Sequence, residues 1–350
     1  MKCAVVLIVS DFEALEEAYA LEQAFDALGR CDLSEPFYVL ISEGFPNIPA
    51  AFIARHRARR IEIVDVADVV DSLVRDHPWL AALPDNPVYR VTLLRHLILE
   101  RFFGGEAVLS VDADVLWRTD PYKLFGHWRG GYFALGGSGF LTYAAAPEWF
   151  DAYRAGLESV LTGGALTADF EEAKFGIKRV QHDQHLINHL QAKGLIRNAW
   201  EACHQSPEFR DLCLMSTPLH PKLGFPEPPA LLAFRREGGR EYFNDALVPF
   251  WHMQTSFCLA CSFHYLLERM IAEQGGRPPF PRPKAGRDNL KAMLARQLRQ
   301  LIIDGQIAEP RLQALRPLMF RRGIYEAFFG GELPLALFTD RYWWQAGVFA

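Results

Sequence analysis

Short apolar runs alternate with amphipathic stretches along the first part of the chain. Clusters of valine, leucine and isoleucine between polar or glycine-containing turns predict strands at residues 4–9, 37–41, 61–64 and 107–111. Apolar positions recurring every three or four residues predict helices at residues 16–28, 89–103, 147–161 and 181–190. This alternation of strand and helix predicts an α/β protein with a doubly wound sheet whose strands are mainly parallel.

The last part of the sequence differs from the part before it. A glycine-broken strand is predicted at 131–142 and a last short strand at 247–253, and a stretch rich in proline and glycine follows at 276–286. We therefore predict an α/β domain at 1–275, a linker at 276–286 and a helical C-terminal extension at 287–350.

The bulk composition excludes several classes of function. A net charge of -5 and a pI near 6.1 give no general attraction to nucleic acid. No apolar run approaches the roughly 18 residues of a membrane span, and the amino terminus lacks the pattern of a signal peptide. Because the six cysteines are sparse, we expect reduced thiols and a cytoplasmic location.

Two aspartates follow the strand predicted at 107–111, with one residue between them. Asp112 and Asp114 would lie beyond the carboxyl end of that strand, where ligands bind in open α/β sheets. Two neighbouring carboxylates are costly unless a cation pairs them, and their oxygens suit Mg²⁺ or Mn²⁺. A bare Asp-x-Asp also occurs as an ordinary acidic turn, so this pattern alone leaves both interpretations open.

The longer string around these aspartates is more specific. The segment from Asp112 to Phe125, Asp-Ala-Asp-Val-Leu-Trp-Arg-Thr-Asp-Pro-Tyr-Lys-Leu-Phe, resembles the metal-binding segment of GT-A glycosyltransferases. It is most similar to the retaining group that includes glycogenin and bacterial lipopolysaccharide galactosyltransferases. The resemblance implies a GT-A catalytic domain at 1–275 with a mixed, mainly parallel sheet. It also implies a nucleotide-sugar donor, most often a UDP-sugar, and Mn²⁺ or Mg²⁺ as the cofactor.

The resemblance implies roles for residues far along the chain. His252, at the end of an apolar strand, would complete a metal site with Asp112 and Asp114. At the start of a helix, Asp183 would hold sugar hydroxyls and Gln184 would lie beside the anomeric carbon. Each assignment has a local alternative, since a histidine can pack in a core and an acid and an amide can cap a helix.

The resemblance also implies contacts to the donor from residues before and after the strand predicted at 107–111. Arg95, on the preceding helix, would contact the nucleotide, and Ala113 lies between the two aspartates. The other positions assigned to the donor are Val9, Ser10 and Asp11 at the end of the first strand, and Ser138 and Gly139, which come after the strand at 107–111. Gly137 stands where the family has an asparagine that touches the sugar, which leaves the identity of the sugar open. The alternatives are a solvated helix arginine, a polar turn and a glycine-rich bulge.

The resemblance at these residues implies a metal-dependent glycosyltransferase that moves a sugar to a glycan, lipid-linked or protein acceptor with retention of anomeric configuration. One alternative is a sugar-phosphate nucleotidyltransferase, which would need a glycine-rich, arginine-containing loop after the first strand. Residues 11–17 are acidic instead, which disfavours it. A second alternative is a non-catalytic binding module on a transferase-like fold. No nucleic acid is expected as a partner.

The extension predicted at 287–350 is basic and aromatic. It holds nine arginine and lysine residues against six acids, and its end carries Tyr342, Trp343, Trp344 and Phe349. Amphipathic aromatics with basic neighbours suit a lipid interface, so we expect peripheral contact with the inner face of the membrane. The alternative is that these aromatics pack against the catalytic domain.

Overall fold

A computed structural model of the chain describes residues 1–19, 21–129, 131–134, 140–144, 147–166, 182–209, 211–212, 234–238, 240–243 and 245–252. The linker predicted at 276–286 and the extension predicted at 287–350 lie outside these residues, so the predicted domain boundaries stay predictions. Among the helices that the structure describes, none is long and apolar enough to cross a membrane.

The described residues divide between two compact units. The first unit takes those within Met1–Leu15, Ala24–Met215 and Pro249–Trp251, and the second takes those within Glu16–Gln23 and Ser216–Val248, together with His252. His252 is nevertheless the last residue of a strand, Phe250–His252, whose first two residues belong to the first unit.

The strands, in chain order, are β1 (Lys2–Ile8), β2 (Phe37–Glu43), β3 (Ile61–Asp65), β4 (Val108–Val111), β5 (Val115–Trp117), β6 (Phe133–Ala134), β7 (Leu141–Ala144), β8 (Phe234–Glu237), β9 (Arg240–Phe243), β10 (Ala246–Leu247) and β11 (Phe250–His252). The α-helices are α1 (Phe12–Tyr19), α2 (Leu21–Gly29), α3 (Ala50–Arg57), α4 (Ala67–Asp76), α5 (Pro87–Phe103), α6 (Pro121–Phe125), α7 (Pro147–Leu161), α8 (Asp183–Ala192) and α9 (Trp200–His204).

The first unit is built on a six-stranded sheet with the order β3-β2-β1-β4-β7-β6. Strands β1 to β4 pair in parallel, whereas β7 runs antiparallel to both β4 and β6. The predicted doubly wound, mixed and mainly parallel sheet is therefore confirmed. Two smaller sheets accompany it, the pair β11-β5 and, in the second unit, the antiparallel sheet β10-β9-β8.

Helix α5 and strand β4 form the part of the fold that carries the site. The side chain of Asn86 caps α5 by accepting hydrogen bonds from the N–H groups of Val88 and Tyr89. The helix ends at Gly104, whose φ of 64° is the left-handed conformation that glycine adopts without cost. All four residues of β4 are buried, as expected for a strand between two neighbours.

A hydrophobic core packs helices α4, α5, α7 and α8 against the sheet. Its large members include Leu97, Trp149, Tyr153 and Leu186, each at most 4% exposed. These four helices come from distant parts of the sequence, so the core fixes their relative positions around β4.

The helix predicted at 16–28 is described in two parts. Helix α1 ends at Tyr19 and α2 begins at Leu21, and residue 20 lies outside the described residues, so the continuity of this helix stays a prediction. The carboxylate of Glu16 in α1 accepts a hydrogen bond from the N–H of Glu22 in α2 at 3.0 Å.

The predicted strands at 131–142 and 247–253 are also divided. In the first, β6 and β7 are separate strands that pair antiparallel with each other. In the second, β10 pairs with β9 whereas β11 pairs with β5. Pro249 lies between β10 and β11, and a proline has no N–H to donate to a continuing ladder.

Candidate active site

The carboxylates of Asp112 and Asp114 lie in the tight connection between β4 and β5. The N–H of Asp112 donates to the carbonyl of Phe140 at 2.8 Å, and its own carbonyl accepts from Val115 at 3.3 Å. Asp114 is buried, and the Asp112 side chain keeps about a third of its surface exposed. The turn therefore holds both acids at the carboxyl end of a central strand, as the sequence predicts.

Strand β11 brings His252 to these aspartates. It pairs with β5, and the carbonyl of Pro249 accepts hydrogen bonds from the N–H groups of Arg118 and Thr119 at 2.8 and 3.1 Å. The rings of Trp117 and Phe250, one from each strand, pack with their centroids 5.2 Å apart. This backbone pairing fixes the direction in which β11 reaches His252.

Asp112, Asp114 and His252 form a group that could hold a metal ion. Each offers one ligand atom, and these atoms all lie within 4.8 Å of one another. Two carboxylate oxygens and one imidazole nitrogen are a donor set for a divalent ion, and three protein ligands leave positions open for a substrate. The residues present thus fit the cofactor that the sequence predicts.

Arg95 connects this group to the start of helix α8. It is only 5% exposed, and its Nη1 donates to Asp112 Oδ1 at 2.6 Å. Its Nε and Nη2 contact Asp183 Oδ2. Burial by itself lowers the pKa of Arg95, but the charges of Asp183 and Asp112 outweigh it and raise the pKa above its usual value. The predicted nucleotide contact of Arg95 stays a prediction.

Asp183 is the first residue of α8 and is 1% exposed. Its Oδ1 accepts a hydrogen bond from the N–H of Gln184 at 2.8 Å, and its Oδ2 lies 3.2 Å from Nε2 of His96. Burial raises the pKa of Asp183, but Arg95 and the hydrogen bond to His96 outweigh burial and hold that pKa below its usual value. Asp183 is therefore an ionised carboxylate inside the protein.

His96 is a member of the site that sequence reasoning missed. It follows Arg95 on α5 and is fully buried, with its ring edge-on to Trp149 and Tyr153 at centroid distances of 4.9 and 4.8 Å. Burial lowers the pKa of His96. Its only sequence signal is its place beside an arginine on an amphipathic helix, and a histidine there is usually a packing residue.

The loop after β1 is held by Asn47, which sequence reasoning did not select, and by Asp11, which it did. Asn47 Nδ2 donates to the carbonyls of Val9 and Ser10 at 2.7 and 3.1 Å. Asp11 Oδ1 accepts from the N–H groups of Glu13 and Ala14 at 2.9 and 3.2 Å, so it caps α1. The predicted donor contacts of Val9, Ser10 and Asp11 stay predictions, as does that of Ala113.

Three predicted positions remain, two after β4 and one at the start of α8. Ser138 and Gly139 lie outside the described residues. Gln184 is half-buried in the first turn of α8, directly after Asp183. The structure therefore brings together Arg95, Asp112, Asp114, Asp183 and His252 of the predicted set, and adds His96.

The chain is similar to several solved glycosyltransferase structures over part of its length. Mouse xyloside xylosyltransferase 1 in its apo form aligns with 12% identity over 55% of this chain and 81% of that one, with a TM-score of 0.37. The galactosyltransferase LgtC in complex with donor and acceptor sugar analogs aligns with 18% identity over 54% of this chain and 70% of that one, with a TM-score of 0.35.

The apo form of the glycosyltransferase GlyE from Streptococcus pneumoniae aligns with 18% identity over 61% of this chain and 52% of that one, with a TM-score of 0.33. No protein-family model matches the chain, and no curated protein matches it. Each of these likenesses covers only part of the chain.

Proposed function

We propose that the protein is a metal-dependent glycosyltransferase that uses a nucleotide sugar, a UDP-sugar in the first instance, and retains the anomeric configuration. The observation that carries the proposal is the group of Asp112, Asp114 and His252 at the carboxyl end of β4. In a doubly wound sheet this edge is where ligands bind. The string from Asp112 to Phe125, which resembles the metal segment of GT-A glycosyltransferases, supports the same conclusion.

The proposed ion is Mn²⁺ in preference to Mg²⁺. Paired carboxylates suit both ions, but imidazole is a ligand that transition-metal ions accept more readily than Mg²⁺ does. When bound, such an ion would hold the diphosphate of the donor and offset the charge that develops on the leaving nucleoside diphosphate.

The protein groups around the ion position have distinct proposed tasks. Arg95 holds the Asp112 carboxylate in a fixed orientation through the 2.6 Å hydrogen bond from Nη1. Gln184, half-buried at the start of α8, is proposed to face the reacting sugar. The charged hydrogen bond from Arg95 to Asp112 is strong and directional, so the Asp112 carboxylate loses little entropy when it takes up the geometry of the site.

Retention is the proposed stereochemical course because Asp183, the carboxylate of α8, is not suited to act as a general base. Asp183 is held as a buried ion by Arg95 and His96, and the direction of its pKa shift is away from neutrality. A general base works best with a pKa near the working pH. We therefore propose that the leaving phosphate oxygen takes the proton of the acceptor. A glycan, lipid-linked or protein acceptor fits this chemistry equally.

Donor hydrolysis with and without Mn²⁺ tests the proposal. The variant Asp114→Asn keeps the size of the side chain and removes the charge, whereas Asp85→Asn makes the same change at an exposed residue that is not a member of the cluster. We expect Asp114→Asn to lose about a hundred-fold or more of the metal-dependent hydrolysis of UDP-sugars, since even outer partners of a metal site cost 10–100-fold. Asp85→Asn should match the wild type.

Two results would overturn the proposal. If wild-type protein binds Mn²⁺ but processes none of a panel of UDP- and GDP-sugars, the site belongs to a non-catalytic binding module. If nucleoside triphosphate and sugar phosphate are joined instead, the protein is a nucleotidyltransferase.

A further inference from the structure

We infer that His96 is a positioning residue that, through Asp183 and Arg95, fixes the Asp112 carboxylate of the candidate metal site, and that Asp183 serves this purpose and not the binding of sugar hydroxyls. The inference deepens the proposed function and rests on it. Its starting point is that Arg95 and His96, consecutive residues of α5, both contact Oδ2 of Asp183.

Protein groups occupy most of the hydrogen-bonding capacity of Asp183. A carboxylate has about four lone-pair positions, two on each oxygen. In the described part of the structure, Oδ2 receives the Nε and Nη2 of Arg95 and the Nε2 of His96, and Oδ1 receives the N–H of Gln184. Since Asp183 is also 1% exposed, a sugar hydroxyl could reach the remaining position on Oδ1 only if the groups that cover the carboxylate moved.

The contact between Nε2 of His96 and Asp183 determines which ring nitrogen carries the proton. Asp183 is ionised and can only accept hydrogen bonds, so the ring carries its proton on Nε2. Within the described residues His96 Nδ1 has no hydrogen-bond partner, which agrees with an unprotonated Nδ1. A neutral donor at this place orients the carboxylate without adding a second positive charge beside Arg95.

The ring of His96 is itself held in place by packing. Trp149 and Tyr153 of α7 contact it edge-on, and the hydroxyl of Tyr153 donates to the carbonyl of Leu93 at 3.0 Å, which ties α7 to α5. A ring in such a position stops the Asp183 carboxylate from rotating.

The orientation of Asp183 passes to the metal group through one side chain. The planar guanidinium of Arg95 has its Nε and Nη2 on Asp183, which aims Nη1 at Asp112. Because the guanidinium is rigid, a rotation of Asp183 would turn Nη1 away from Asp112. Removing one partner of a buried ion pair costs far more free energy than removing one partner of a surface pair. Single substitutions in this linkage should therefore have measurable effects.

Affinity for Mn²⁺ alone, measured as free Mn²⁺ by electron paramagnetic resonance, tests the inference without any sugar. His96→Leu removes the donor and keeps an apolar side chain, whereas His96→Gln keeps an N–H near the position of Nε2. We expect Mn²⁺ binding to weaken about ten-fold in His96→Leu and to stay within about three-fold of wild type in His96→Gln, the range in which outer partners of metal sites act. His56→Leu, which removes another fully buried histidine on α3, should leave Mn²⁺ affinity unchanged.

Turnover of a nucleotide sugar at saturating Mn²⁺ gives the second measurement. His96→Leu should lower kcat about ten-fold with KM for the donor changed less than about three-fold, because a positioning group acts on the transition state more than on ground-state binding. Asp183→Asn should reproduce the loss of Mn²⁺ affinity and keep the order of preference among UDP-sugars.

Several other outcomes contradict the inference. Equal losses in His96→Leu and His96→Gln would make His96 a packing residue, and wild-type Mn²⁺ affinity in His96→Leu would give it no role. If His96→Leu does not fold, Asp183→Asn decides, and wild-type Mn²⁺ affinity in that variant overturns the inference. A changed donor preference in Asp183→Asn would make Asp183 a sugar ligand. If the wild-type protein binds Mn²⁺ but processes no nucleotide sugar, the proposed function is refuted. The Mn²⁺ affinities of the variants then still test the positioning role of His96.

Discussion

Arg95 and Asp183 are the residues whose burial and partners differ most from what their residue types suggest. An arginine on an amphipathic helix is usually solvated, and an acid at a helix start is usually a cap. Both are buried here and contact each other; Arg95 also contacts Asp112, and Asp183 also contacts His96. At the scale of single residues, the candidate site therefore contains a network of charged groups that hold one another in place.

Gln184 is the group at the start of α8 that we expect to act on the sugar. Because its proposed contact forms near the transition state, Gln184→Ala should lower kcat about ten-fold or more while the Kd for the donor changes little. Steady-state kinetics together with donor titration by calorimetry measure the two quantities. Asn188→Ala, one turn further along the same helix, is the matched control for loss of an amide. Equal losses in kcat and in donor affinity would make Gln184 a simple binding residue.

His56 should make the stability of the protein fall in mild acid. Its ring is fully buried between Phe25 and Phe52, with centroid distances of 5.5 and 4.4 Å, and burial lowers its pKa to about 4. In the unfolded chain the pKa of a histidine is about 6.5. Below that pH the unfolded state binds a proton that the folded state excludes, so stability is lost as the pH falls from about 6.5 towards 4.

Urea denaturation at pH 7 and pH 5 measures this effect. Since one unit of pKa difference is worth ~1.4 kcal/mol, the wild type should lose about 2 kcal/mol of unfolding free energy at pH 5 through His56. In His56→Leu that part of the pH dependence should vanish. A variant with undiminished pH dependence would show that His56 is not responsible.

At the scale of elements, the ends of parallel strands bring the loops of the site together. Strands β1, β2 and β4 all run in one direction, so the segments that follow them lie at the same edge of the sheet. The segment after β1 is fixed by close backbone contact with the segment after β2. A Cβ added to Gly44, whose φ is +81°, would meet the carbonyl oxygen of Val9 at 2.0 Å.

Gly44→Ala should therefore destabilise the protein more than the same change at Gly104. Gly104 also has a positive φ, of +64°, but a Cβ there would meet nothing within 4 Å. We expect about 1 kcal/mol for Gly104→Ala from the left-handed backbone alone, and at least about 3 kcal/mol for Gly44→Ala, where the clash adds to it. Thermal unfolding of both variants measures the difference. Equal losses would contradict the close approach of Gly44 to Val9.

At the scale of the whole chain, the composition of the extension at 287–350 carries a separate expectation. Its nine basic residues and its aromatic end favour contact with an anionic lipid surface. Changing Trp343 and Trp344 together to Ser in the full-length protein should weaken binding to vesicles with anionic lipids about ten-fold or more, since buried aromatic side chains each contribute about 1.5–3 kcal/mol.

Co-sedimentation with vesicles and thermal unfolding distinguish the two interpretations of this end. Weaker vesicle binding at an unchanged melting temperature supports membrane contact. A melting temperature lowered by several degrees with unchanged vesicle binding would show that the tryptophans pack against the protein. Trp79→Ser, a change within the first unit, controls for the loss of an indole.

The sequence by itself determined the strands of the sheet and the place of its acidic turn. Apolar runs at β1, β2, β3 and β4 have one explanation, burial in a sheet, because their short length and branched residues exclude the alternatives. Asp112 and Asp114 follow β4 directly, so the position of the strand fixes the position of the acids. The prediction that His252 joins them rested on the resemblance, and the structure places its ligand atom in the same group.

Only the tertiary structure decided which polar side chains meet. The partners of Arg95 come from the turn after β4 and from α8, and those of His96 come from α8 and α7. These segments are close in space because the core packs their elements together. Periodicity indicates which face of a helix is apolar, but it does not indicate that Arg95 pairs with Asp183, which lies 88 residues away in the sequence. The division of the strand predicted at 131–142 has the same cause, since pairing between distant segments selects where a strand ends.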